Sequence, residues 1–128
     1  MRVLLDTHAL LWWLAGDTQL SARAKKTIGD EGHEIYVSAA SAWEVTTKAR
    51  LGKLPGAGPL AVDFAREVRN QGFVPLAITL VHGQLAGGLA GSHRDPFDRM
   101  LIAQALEEKM ALVSNDAVFD GFGVRRIW

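Results

Sequence analysis

Arg2-Val3-Leu4-Leu5-Asp6 sets the plan of the chain: a short strand-forming run, an acid able to end a strand or cap a helix, and then a helical stretch over residues 9–15. The unit recurs. Strands are predicted at residues 2–5, 34–37, 74–78, 111–113 and 124–127, and the first four are followed by Asp6, Ser38, Thr79 and Ser114. Helices are predicted over residues 9–15, 21–29, 39–49, 60–70, 80–86 and 96–109. This alternation is the rhythm of βαβ units joined by right-handed crossovers. The expected fold is α/β, with a central parallel β-sheet of about five strands sandwiched by helices. Glycine-rich breaks at residues 52–58 and 87–91 read as loops.

With 128 residues and 48% hydrophobic content, the chain supports one continuous core, and a single domain over residues 1–128 is expected. Fourteen basic residues balance fourteen acidic ones, so no net field draws in a polyanion and any nucleic-acid binding has to come from local arrangement. There is no cysteine, which excludes disulfides, thiolate metal sites and cysteine nucleophiles and is compatible with a reducing cytoplasm. The N-terminal run meets Asp6 too soon for a signal-peptide core, and no apolar run approaches the ~20 residues of a membrane span. A soluble cytoplasmic protein is expected.

Ligands of open parallel sheets bind beyond the carboxyl ends of the strands, and four acids fall near that edge. Asp6 ends the first strand, Asp116 follows the fourth after Ser114-Asn115, Asp98 lies in the first turn of the helix that starts at Pro96, and Glu44 is long enough to reach back from the helix after Ser38. Taken singly, each has a plainer explanation: a cap, a turn, or an exposed Glu44–Lys48 pair. Asp98, however, starts the stripe continued by Leu101, Ile102 and Ala105, so it opens the buried face of its helix. Carboxylates gathered there repel one another unless a cation neutralises them. Oxygen-only donors suit Mg²⁺ or Mn²⁺, and His8, His33, His82 and His93 show no zinc spacing. Arg94 and Arg99 flank the Asp98 helix as phosphate contacts, with Lys48 and Lys53 as weaker ones. Trp12 and Trp13 are expected in the core or at a partner interface, ahead of base stacking.

Four blocks in order carry a family resemblance over nearly the whole chain: Leu4-Leu5-Asp6-Thr7-His8-Ala9-Leu10-Leu11-Trp12-Trp13; Val37-Ser38-Ala39-Ala40-Ser41-Ala42-Trp43-Glu44; His93-Arg94-Asp95-Pro96-Phe97-Asp98-Arg99; and Leu112-Val113-Ser114-Asn115-Asp116. The sequence resembles the PIN-domain nucleases, and more closely the VapC-type toxins of toxin–antitoxin pairs. That resemblance implies Asp6, Glu44, Asp98 and Asp116 as an acidic metal site with Ser114 as a polar helper. It also implies Mg²⁺ or Mn²⁺ dependence, endonucleolytic RNA cleavage, homodimerisation and inhibition by a cognate antitoxin.

The rivals are weaker. Asp6-Thr7-His8 has the Asp-x-His form of some two-metal phosphoesterases, but the later Gly-Asp-x-x-Asp and Gly-Asn-His blocks are missing. A phosphoryl-aspartate enzyme wants an aspartate where His8 stands, and no Gly-x-Gly-x-x-Gly follows the first strand. The alternative that remains is a catalytically inactive PIN-like module that binds RNA or a partner.

Overall fold

The computed structural model describes residues 1–128. Strands β1 (Arg2–Leu5), β2 (Glu34–Ser38), β3 (Val74–Leu76), β4 (Ala111–Val113) and β5 (Arg126–Ile127) form one sheet in the order β3-β2-β1-β4-β5, with every neighbouring pair parallel. Around it lie α1 (Thr7–Ala15), α2 (Ala22–Gly29), α3 (Ala39–Arg50), α4 (Gly58–Val62), α5 (Phe64–Asn70), α6 (Leu80–Gly88) and α7 (Pro96–Glu107). A 3₁₀ turn spans Ala117–Phe122. No helix is long and apolar enough to cross a membrane.

The central strand shows why the sheet is covered on both faces. Val3, Leu4 and Leu5 are all fully buried, and successive side chains of a strand point to opposite faces. Val3 and Leu5 join a core with Leu10, Ile28, Val45, Leu60 and Val68 from α1 to α5. Leu4 joins a second core with Leu101 and Ile102 of α7, Leu112 of β4 and Phe119 of the 3₁₀ turn. Leu4 stands between Tyr36 and Leu112 in register, so β1 is the spine shared by both layers.

Strand order places the functional edge. From β1 the chain steps outward to β2 and β3, then returns to lay β4 on the other side of β1. The order therefore reverses between β1 and β4, and their carboxyl ends flank the crevice that such a reversal opens. Asp6 follows one strand and Ser114 the other.

Three elements depart locally from expectation, two of them for evident physical causes. The helix expected over residues 60–70 breaks at Asp63 (φ −147°, ψ 81°), whose carboxylate leaves the helical path to cap α5 by accepting from the Arg66 amide at 3.1 Å. β3 stops at Leu76, two residues early, because it is an edge strand already weakened by Pro75. β5 is only two residues long, and the 3₁₀ turn before it was not expected.

Arg99 requires a correction. Expected at a phosphate, its guanidinium instead donates to three backbone carbonyls: Nε to Ala86 at 2.9 Å, Nη1 to His93 at 3.0 Å and Nη2 to Leu89 at 2.6 Å. Ala86 lies in the last turn of α6, where carbonyls lack helical partners. One planar cation thus closes the end of α6 and ties the glycine-rich connection to α7. An ammonium cannot span three carbonyls in that way, so Arg99→Lys is expected to lower stability by about 2 kcal/mol. Urea unfolding measures it, and an unchanged midpoint would refute the clamp.

Candidate active site

Four elements bring their acids to one cavity of about 550 Å³, whose lining includes Asp6, Glu44, Asp95, Asp98 and Asp116 together with Thr7, His8, Trp12, Lys48 and Asn115. Three of the four sequence-selected acids stand at helix starts. Asp6 is the N-cap of α1, its carboxylate accepting from the Ala9 amide at 2.7 Å. Asp98 lies in the first turn of α7, and Asp116 caps the 3₁₀ turn through the Val118 amide at 3.0 Å. The positive ends of the peptide dipoles offset part of the charge collected there.

Glu44 reaches the cavity from the second turn of α3 and is buried, at 5% exposure. Its Oε1 accepts from the Thr7 hydroxyl at 2.6 Å, and its Oε2 pairs with Lys48. Thr7 Oγ1 is also 3.0 Å from Ser41 Oγ. Since the single Thr7 proton is given to Glu44, Ser41 must be the donor in that contact. The Glu44–Lys48 pair, the plainer alternative to a site role, therefore exists, but its carboxylate is inside.

Asp98 accepts from or donates to His93 Nε2 at 2.8 Å according to the protonation of the pair, and its backbone N–H is capped by Asp95 at 3.1 Å. Ser114 is fully buried and accepts from the Asp116 amide at 3.0 Å. Its hydroxyl lies close enough to Asp6 to favour the ionised carboxylate. Arg126 braces this loop from β5: it grips Asp120 with two nitrogens at 2.9 and 3.0 Å and donates to the Ser114 carbonyl at 3.1 Å.

The electrostatics of the pocket are those of crowded anions. Burial pushes the Asp6 carboxyl above the ordinary carboxylate range; the Ser114 and Ala9 hydrogen bonds and nearby His8 oppose this, while Asp98 adds to it. Burial likewise raises Asp98 against the pull of its His93 bond, with Asp95 and Glu44 pushing further upward. Lys48 is the one cation of Lys or Arg type in the lining. A divalent ion fits this donor set, all oxygen and in excess negative charge. Asp98 and Asp116 each keep a carboxylate oxygen free of hydrogen bonds. As placed, no three His, Asp or Glu side chains cluster closely enough to chelate one ion, and Mg²⁺ characteristically keeps several waters while taking only one or two carboxylates.

Sequence reasoning missed Asp95 as a cavity residue, and missed Thr7, Ser41, His93 and Arg126. Thr7 and His93 sit within blocks already quoted, so proximity to Asp6 and Asp98 was a usable signal. Arg126 gave none. Because Asp6 has a raised folded-state pKa, its contribution to stability is full below the ordinary carboxylate range and is lost as pH rises through the raised value. Asp6→Asn keeps an oxygen for the Ala9 amide and removes the charge. It is expected to raise the thermal midpoint of metal-free protein at neutral pH by a few degrees, the gain fading below about pH 4; equal midpoints at neutral pH would contradict it.

Comparison with known proteins agrees with this architecture. Residues 3–124 match the PIN domain. Over 118 residues the chain is 34% identical to ribonuclease VapC22 of Mycobacterium tuberculosis, covering 89% of this chain and 86% of that one. Among solved structures, VapC20 of M. tuberculosis, titled a sarcin–ricin loop cleaving toxin, superposes with a TM-score of 0.68 at 16% identity, covering 95% of each chain. VapBC-1 of nontypeable Haemophilus influenzae gives 0.68 at 14% identity, covering 98% of this chain and 96% of that one. The chain belongs to the PIN-domain family, in its VapC branch.

Proposed function

We propose that this protein is a divalent-metal-dependent endoribonuclease, the toxin of a toxin–antitoxin pair, working in the cytoplasm as a homodimer restrained by an antitoxin. The observation that carries the reading is the convergence of Asp6, Glu44, Asp98 and Asp116 on one cavity at the reversal point of the sheet. An acidic pocket repels a phosphodiester unless a cation intervenes, which is the reason to prefer a nuclease over an inactive binding module. The ribonuclease name of VapC22 and the toxin–antitoxin complexes among the structural relatives point the same way.

Asp6, Asp98 and Asp116 would hold Mg²⁺, with Mn²⁺ as a substitute. When bound there, such an ion would supply Lewis-acid stabilisation of the phosphate and lower the pKa of a water. Glu44 already has partners on both oxygens, so we assign it to orienting water and fixing Lys48. His93 holds Asp98, and Ser114 holds Asp6 and the Asp116 loop. Exposed Arg94 remains the arginine suited to substrate phosphate, with Lys48 and Lys53 as weaker candidates. For protein partners the chain offers exposed apolar surface: Trp43 at 61%, Leu80 at 94%, Val81 at 48% and Leu85 at 36% exposure.

Purified protein should cut RNA with Mg²⁺ or Mn²⁺ and not in chelator. Asp6→Asn and Asp98→Asn should each lose more than about 100-fold, beyond what removing a supporting partner produces, and Asp98→Asn should abolish the calorimetric signal of Mn²⁺ binding. Undiminished cutting by both variants would overturn the assignment.

A further inference from the structure

One wall of the acidic cavity is aromatic. His8 and Trp12 stand four residues apart on the same face of α1, with ring centroids 5.6 Å apart and planes tilted by 43°. Both line the cavity that holds the acids. Trp12 lies in turn 5.8 Å from Trp128, tilted by 56°. Its neighbour Trp13 faces elsewhere, its ring against Phe73 and its indole N–H donating to Gln71 at 3.0 Å. Trp12 is therefore the member of the pair that faces the acids.

Packing explains only part of this ladder. Trp12 and Trp128 are half-buried against the core and have that reason to be aromatic. His8 is exposed and rests on the Trp12 ring, so neither core packing nor helix propensity requires it. The cavity also has a binding problem: Lys48 is its one Lys or Arg, and that ammonium is paired with Glu44. Beside the phosphate contacts made by a bound cation and by Arg94 outside the lining, aromatic faces offer a second source of affinity, because every base has a π-face to stack.

Resting on the nuclease reading above, we propose that His8, backed by Trp12, is a base-stacking subsite that receives one unpaired base of an RNA strand lying across the acidic cavity. A base inside a duplex is already stacked on its neighbours and cannot be splayed onto the ring. The subsite therefore selects single-stranded or loop RNA and tolerates different bases.

The test is binding of a fluorescein-labelled single-stranded RNA of mixed sequence by fluorescence anisotropy, with Ca²⁺ present to neutralise the carboxylates. His8→Ala, at an exposed position, should weaken binding roughly 5- to 100-fold with an unchanged unfolding midpoint, and His8→Phe should restore it. Moving a single abasic site along the RNA should reveal one position that weakens wild-type binding by a similar factor and costs His8→Ala nothing more. Equal binding by wild type and His8→Ala, abasic penalties undiminished in the variant, or no measurable wild-type binding each overturns the subsite. His8-dependent binding without any Mg²⁺- or Mn²⁺-stimulated cleavage would overturn the nuclease reading instead.

Discussion

Carboxylates held inside one pocket repel each other, and burial makes each charge harder to carry. Much of the structure around the cavity answers that repulsion. Asp6 and Asp116 cap helical turns, and Asp98 sits in the first turn of α7, where peptide dipoles present their positive ends. Glu44, the acid without a helix start, is given two hydroxyls in series and an ammonium instead. What these contacts leave uncompensated shows in the raised Asp6 and Asp98 carboxyls. Carrying that residual charge inside the protein gives up stability locally, a trade familiar at functional sites.

Sheet topology decides where this tension can be located. A parallel strand ends in a turn and a helix start, and two such ends face one crevice only where strand order reverses. β1 and β4 meet that condition, and α3 and α7 close the remaining sides. The second core, built on Leu4, Leu101, Ile102 and Phe119, fixes α7 and the 3₁₀ turn against β4, so Asp98 and Asp116 inherit their positions from apolar packing.

The strand-then-cap rhythm was legible because it depends on neighbours in sequence. β1, β2 and β4 appear where the apolar runs placed them, and the four chosen acids do line one cavity. Features depending on distant groups were not legible. Nothing near Arg99 tells that three carbonyls from α6 and the following loop will surround its guanidinium. Nothing near Arg126 points to Asp120 and Ser114. The break at Asp63 depended on a local choice between capping and continuing a helix, and apolar periodicity is blind to that choice. Glu44 was placed on the right element and at the right edge, but its burial was not legible, since an i,i+4 pair looks the same whether its acid faces water or the interior.

The reversal between β1 and β4 also bears on how the pocket comes into being. Asp6 and Asp116 are separated by nearly the entire sequence, and they approach only after β4 has returned to pair with β1 beyond two outward strands. Non-local pairing of this span forms more slowly than local contacts do. Until it closes, the acids are far apart, hydrated and electrically independent, as in any unstructured peptide. The clustered negative charge accordingly belongs to the assembled sheet and to no single segment of the sequence.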